Sequence, residues 1–381
     1  MRATIGCEYS SFGSQEHTYG DGMASETPWS GEFTLTRRAA LAGALAVGSV
    51  ALTNTAWAAS AEPDPSAPLV RVRSASRSLP VLAAIANGFF AREQLNVDYS
   101  QFVSSRPTFV QIDTQEIEFI ISSMDNAINY QLNPGNPAGR ILDNVIVAAH
   151  DLGLGLALVA AEGYPTAESL RGKRIGVDVP HSGFGLPAEK IMLSNGLVAD
   201  RDYTLISAGS TPARFQGLLD GSWEAAIINA EGVVRARDLG LPVIGVVSDL
   251  IQPYQGGVVA ANRVWLQNNS EIAVRFLRAL VRGVQWLFDH RHRQAAIALL
   301  IDAETTAEVA AEIYDLNVAA DGLSPRAALS SSGFRNVLEL RAEFNGFEIP
   351  QDIDRLASPQ GGLYDLRYYR RAVHGLHHRH R

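Results

Sequence analysis

Cysteine is almost absent: the 381 residues hold only Cys7. A disulfide framework is thereby excluded. Long apolar runs are missing as well. The uncharged Ala/Gly-rich stretch from Ala39 to Leu52 covers about 14 residues, and spanning a bilayer takes roughly 20. There is no basic excess. Lys and Arg total 32 against 40 Asp and Glu, a formal net charge of −8, which leaves no electrostatic footprint for nucleic acid. Short-period repeats and low-complexity tracts are also lacking from residue 59 onward.

What is present at the N-terminus reads as an address rather than as part of a fold. Thr36-Arg37-Arg38-Ala39-Ala40-Leu41 introduces the weakly apolar run. Paired arginines before such a core match a twin-arginine export signal. Ala56-Trp57-Ala58 has the small-x-small form of a cleavage site, so residues 1–58 are expected to be removed near Ala58, with Met23 a second candidate start. Cys7 would leave with the peptide, and no lipid attachment point follows the cut. A soluble, periplasmic product of mildly acidic balance is the expectation.

From Leu69 the pattern alternates strands and helices. Strands are expected at Leu69–Arg73, Leu95–Phe102, Ile117–Ile121, Val145–Ala149 and Leu154–Ala160, with a helix at Pro80–Phe90 carrying proline in its first turn. A second block repeats the plan. It has strands at Arg174–Asp178, Tyr203–Ser207, Ala225–Asn229 and Val243–Val247, and helices at Pro187–Asn195, Thr211–Leu219 and Glu231–Asp238. Short links between such elements imply βαβ units and mostly parallel sheets. After Gly256–Ala260 the chain turns helical at Ile272–Phe288, Gln294–Ile301, Ala307–Leu316 and Phe334–Phe344.

In open parallel sheets, ligands sit beyond the carboxyl ends of strands, where loops feed helix N-termini whose free N–H groups bind acceptor atoms. Four junctions have this form, two in each block: Ser76-Arg77-Ser78, Ser122-Ser123-Met124-Asp125, His181-Ser182-Gly183-Phe184 and Asn229-Ala230-Glu231. Facing each other, they would enclose a small polar molecule. Ser and Asp at such points also serve as plain helix caps.

The residues also resemble a known family. Leu79 to Phe90 followed by Leu95-Asn96-Val97-Asp98, Glu168 to Val177 (ESLRGKRIGV), and Arg214 to Ile228 with Leu218-Leu219-Asp220-Gly221 are similar, in order, to the nitrate/sulfonate/taurine-type periplasmic solute-binding proteins. That group includes the thiamine-pyrimidine-precursor binders. The resemblance runs from about Leu69 to Ala303. It implies an α/β, type II periplasmic-binding-protein fold of two doubly wound lobes joined by a two-strand hinge. Lobe 1 would comprise residues 69–155 and 256–381, the latter with a helical C-terminal region, and lobe 2 residues 156–255. The crossings would lie near Leu154-Gly155-Leu156 and Gly256-Gly257-Val258, where glycines absorb backbone change.

Carried over residue by residue, the resemblance implies a ligand shell of Ser76, Arg77, Ser78, Ser123, Met124, Asp125, His181, Ser182, Phe184, Asn229, Glu231, Tyr254 and Gln255. Arg77 could pair an anionic head group bidentately, and Phe184 and Tyr254 could stack on a planar ligand. Glu231 and Asp125 depart from an anion site, so either they face away or the ligand carries N–H or cationic groups.

The implied function is solute capture for an ABC permease by a monomer, without cofactor or metal. The ligand would be a sulfonate, an aromatic or other organic acid, or a nitrogen heterocycle. Two alternatives stay open: an enzyme on the same fold, desulfinase- or hydrolase-like, or a sensor for a signalling partner. The desulfinases of this fold use a first-lobe cysteine, and Ser74 to Leu79 contains none. The C-terminal His374, His377, His378 and His380 read as a frayed tail, with interleaved arginines repelling cations.

Overall fold

A computed structural model describes residues 64–153, 155–344 and 352–377. The twin-arginine segment, the cleavage site, Leu154, His378 and His380 lie outside the described residues. Ten strands form two five-stranded sheets. The first sheet comprises β1 (Leu69–Ser74), β2 (Asn96–Gln101), β3 (Phe119–Ser123), β4 (Val145–Ala149) and β10 (Gly257–Ala261), in the order β2-β1-β3-β10-β4. The second comprises β5 (Ala157–Ala160), β6 (Arg174–Val177), β7 (Thr204–Ser207), β8 (Ala225–Ile228) and β9 (Val243–Val246), in the order β7-β6-β8-β5-β9.

The two orders are the same plan written twice. In each sheet a single strand runs against the rest: β10 is antiparallel to β3 and β4, and β5 is antiparallel to β8 and β9. These are the strands that begin after each crossing between lobes. A chain entering a lobe at its cleft end must run away from the cleft, opposite to the strands that deliver their loops there. The expected two-lobed α/β architecture is therefore present, with the mouths of both sheets facing one seam.

The helices, in order, are α1 (Leu79–Ala86), α2 (Phe89–Arg92), α3 (Ser105–Asp113), α4 (Met124–Leu132), α5 (Gly185–Ser194), α6 (Thr211–Leu219), α7 (Ala230–Asp238), α8 (Arg263–Asn268), α9 (Ser270–Leu287), α10 (Arg293–Ala298), α11 (Ala307–Val318), α12 (Ser331–Phe344), α13 (Ile353–Leu356) and α14 (Arg367–His377). Gly88, with φ of 66°, divides the expected Pro80–Phe90 helix into α1 and α2. The polar turn expected after Ile121 is absent: β3 runs to Ser123 and α4 starts at Met124. The C-terminal segment expected to fray is instead helical to His377. Tyr368, Ala372 and Leu376 recur every fourth residue and are buried in the core cluster that also holds the apolar face of α9.

One core lies outside the first sheet, where Phe276 stacks on Phe119 at 4.0 Å and on Phe90 at 5.4 Å. A second is continuous between the lobes, joining Phe109 and Ile128 to Ile175 and Ile191 through Val337 and Leu338 of α12. The C-terminal helices thus cross the seam: α12 packs on α4 and α5, and α11 packs on α7.

At the crossing itself the chain segments are too close for side chains. A Cβ at Gly256 would lie 2.6 Å from Gly153 N and 2.7 Å from its Cα. Asp151 Oδ1 accepts from Gly153 N and Gly257 N, each at 3.0 Å, and Asp151 O accepts from Gly256 N at 3.1 Å. Gln255 adds Nε2 to Asp151 O at 2.8 Å, while its Oε1 takes Ser330 N at 3.0 Å. These glycines allow close approach of two strands, and the bonds stitch the strands together.

Candidate ligand-binding cleft

The strand mouths meet around a cavity of about 80 Å³. One water needs roughly 10–15 Å³ on this measure, so the cavity holds a few waters or a small solute. Lobe 1 contributes Ser76, Arg77, Ser122 and Ser123, lobe 2 contributes Gly183, Phe184, Thr211, Asn229 and Glu231, and α11 adds Ile313 and Asn317. A smaller cavity adjoins it and shares Ala75, Ser122, Phe184 and Thr211.

Seven of the thirteen expected residues line the main cavity: Ser76, Arg77, Ser123, Phe184, Asn229, Glu231 and Tyr254. The other six, Ser78, Met124, Asp125, His181, Ser182 and Gln255, do not. Met124 is core and fully buried. Gln255 is spent on the crossing described above. Ser182 Oγ accepts from Phe184 N at 3.2 Å and Gly185 N at 3.1 Å, so it caps α5, and it donates to Asp178. His181, at φ 58°, turns its carbonyl to Arg341 Nη2 at 2.8 Å. Capping also accounts for part of the lining. Ser123 Oγ takes Asn126 N at 3.2 Å and Asn229 Oδ1 takes Gly232 N at 3.3 Å.

Arg77 does not stand free for an anion. Its Nη2 donates to Glu231 Oε1 across the seam at 2.6 Å, and its Nη1 to Asp302 Oδ2 at 2.8 Å. Burial alone would lower the guanidinium pKa, but the two carboxylates outweigh it and raise the value above the ordinary one. Of the two expected carboxylates, Asp125 faces away and pairs with Arg341, both side chains about 1 % exposed. Glu231 faces the cavity.

The lobes meet elsewhere through neutral and charged groups. Asn126 Nδ2 donates to Asp178 Oδ2 at 3.1 Å, and its Oδ1 accepts from Gly183 N at 3.0 Å. Buried Arg214 bonds Ile227 O, Gly209 O and Thr211 Oγ1 and lies 4.4 Å over the Phe184 ring. One face of that ring is therefore taken. Burial pulls Arg214 down to about 10 and pushes Asp178 up, while each charge opposes the shift of the other.

Several cavity residues escaped the sequence reading, His150 and Asp151 foremost. His150 and Asp151 follow β4, at the same kind of strand end that singled out the four junctions. His150 Nε2 meets Ser78 Oγ at 2.9 Å and its Nδ1 meets Asp151 Oδ2 at 2.9 Å. With Asp151 accepting, Nδ1 carries the hydrogen, and a neutral ring would accept from Ser78 through Nε2. Ser78 leaves α1 without a side-chain cap in consequence. Asp302, Asn317 and Arg341, far along the chain, gave no signal at all.

Among the described residues no helix is long and apolar enough to cross a membrane, and none of their His, Cys, Asp and Glu side chains cluster in a way that could hold a metal ion. No curated protein matches the sequence. Solved structures match the fold. The periplasmic nitrate-binding protein NrtA of Synechocystis PCC 6803 aligns at TM-score 0.67 and 12% identity, over 82% of this chain and 90% of its own. The alkanesulfonate-binding protein SsuA of Xanthomonas axonopodis pv. citri, bound to MOPS, aligns at 0.59 and 15%, over 73% and 92%. The periplasmic aliphatic sulphonate binding protein SsuA of Escherichia coli aligns at 0.54 and 16%, over 80% and 92%. These likenesses show the periplasmic-binding-protein fold. The NMT1/THI5-like family model matches residues 75–293, more than half of the sequence, and the chain belongs to that family.

Proposed function

We propose that this chain is the solute-binding component of an ABC importer: it captures a small molecule in the periplasm by lobe closure and presents it to a permease. The carrying observation is that one cavity takes its wall from both lobes. A ligand shifts an open–closed equilibrium only through contacts it makes differently in the two states, and a wall shared by both lobes supplies them. The ligands of similar structures, nitrate and sulfonates, support a small polar guest. Export by the twin-arginine route and action as a monomer belong to the same proposal. So does a ligand shell drawn from the seven lining residues of the expected set. Small-angle scattering with and without a compound found by thermal shift tests it. Compaction on binding is expected; an unchanged curve with a tightly held compound overturns the closure mechanism.

A second reading, ester cleavage, has the Asp151–His150–Ser78 relay in its favour. Against it, the Ser78 amide that would hold an oxyanion already donates to Tyr99 Oη at 2.6 Å. Release of nitrophenolate from 4-nitrophenyl acetate, lost in Ser78→Ala and His150→Ala alike, would favour cleavage over capture.

A further inference from the structure

The charges around the cavity do not balance. Its wall carries one guanidinium, Arg77, and the His150 imidazole against two carboxylates, Asp151 and Glu231, with a third carboxylate, Asp302, on Arg77. Arg77 is further neutralised from behind by Asp302. Its two terminal nitrogens are therefore both committed to carboxylates, and no positive charge is left for a guest. Asp151 is spent in the opposite sense, with three donors already on its two oxygens: His150 Nδ1, Gly153 N and Gly257 N. Glu231 is different. It gives Oε1 to Arg77, and among the described residues nothing bonds Oε2.

Other lining groups point the same way. Ser122 is 4 % exposed, lies on the wall of both cavities, and its Oγ has no hydrogen-bond partner. A buried hydroxyl left without a partner costs roughly 1–3 kcal/mol, so a guest that bonds Ser122 Oγ gains by it. Asn317 donates its amide nitrogen to Ile313 O at 2.8 Å, which leaves its carbonyl oxygen as an acceptor on the same wall. The open positions thus include the acceptors Glu231 Oε2, Ser122 Oγ and Asn317 Oδ1 beside a surplus negative charge, with Phe184, Leu156 and Leu300 as apolar surface between them, while the Ser122 hydroxyl and Asn229 Nδ2 can also donate to a guest's acceptor.

From this arrangement we infer that the cleft selects a small organic cation, a protonated amine or an amidinium, whose N–H donors fall on Glu231 Oε2 and Ser122 Oγ. An anion would have to displace Glu231 from Arg77 and then face an unpaired carboxylate. The inference rests on the solute-capture reading and names its ligand class.

Matched probes of opposite charge separate the two. The full chain is melted with benzylammonium against benzenesulfonate, and with methylguanidinium against methanesulfonate. The cations are expected to raise Tm by roughly 4 °C or more at saturating concentration. In Glu231→Gln, which keeps the shape and removes the charge, affinity for them should fall about tenfold or more. In Ser122→Ala it should fall less, with the ligand-free Tm of both variants showing that they fold. Stabilisation by the sulfonates alone overturns the cation inference and leaves solute capture standing. No shift with any of the four overturns the cation inference, while solute capture stands or falls on the scattering test. Cation binding that Glu231→Gln leaves untouched overturns the assignment to this cleft.

Discussion

Arg341 of α12 and Asp125 of α4 form an ion pair sealed from solvent, Nε to Oδ1 at 2.5 Å, with a second bond from Nη2. The same guanidinium reaches His181 O in lobe 2. A residue 216 positions away in sequence thus holds the start of α4 and touches both sides of the seam. Removing one partner of a buried pair leaves the other charge without compensation, at a cost of about 3–5 kcal/mol. Arg341→Met should therefore lower unfolding stability by that order. The double variant Arg341→Met/Asp125→Leu should recover part of the loss. Urea melts of the three proteins decide it, and a single variant as stable as the wild type would refute the pairing.

Gly183 meets Ser123 across the seam with no space for a side chain. A Cβ there would overlap Ser123 Oγ and lie 2.8 Å from its Cβ. Gly183→Ala should prop the lobes apart, weakening ligand affinity by about 10-fold or more while changing the melting temperature little. Scattering of the ligand-free variant should show a larger radius of gyration than the wild type, and equal radii would count against the seam geometry.

The Arg77–Glu231 bond latches the lobes without any ligand. Both side chains are partly shielded, 16 % and 24 % exposed, and a hydrogen bond to a charged group contributes about 1.5–3 kcal/mol. Arg77→Met should raise the open population roughly 10- to 150-fold. Spin labels placed one on each lobe would report the change as a longer distance in the variant. An unaltered distance distribution would show that the latch is idle.

Glu189 of α5 gives stability a pH dependence. Burial, then the charge of Asp200, push its carboxyl up to about 7, with Arg341 opposing. His181 Nδ1 stands 3.7 Å from Oε1. The ordinary value is 4.5. Below that pH both folded and unfolded chains hold the proton and stability is unaffected. Between 4.5 and about 7 only the folded chain keeps it, so stability falls as pH rises. The loss totals up to about 3 kcal/mol and is complete above pH 7. Glu189→Gln should flatten this slope in denaturant melts taken across the window; a variant with the wild-type slope would assign the effect elsewhere.

Periodicity made most of the fold legible. The helix expected at Thr211–Leu219 has the observed bounds, and the strands of both blocks end within a few residues of their expected limits. Helices α3, α4, α8, α13 and α14 were missed, two of them for one reason. In α3 the buried residues are Ser105, Thr108, Phe109 and Ile112, only two of them strongly apolar, and in α14 the apolar stripe is diluted by arginines. Local pattern also brought the strand-end loops to the cleft. It could not say which side chains of a loop turn outward. Arg77 looked free because its partners Glu231 and Asp302 lie 154 and 225 residues away. His150 and Asp151 were within reach of the same strand-end rule and were passed over because no helix follows β4.

Helix α12 rests on both lobes at once, with Arg341 paired to Asp125 of α4 in lobe 1 and Glu343 holding Lys190 of α5 in lobe 2 at 2.7 Å. On the solute-capture reading, the lobes would part least along this strap, and a guest would enter only once the α11–α7 packing and the Arg77–Glu231 bond had yielded.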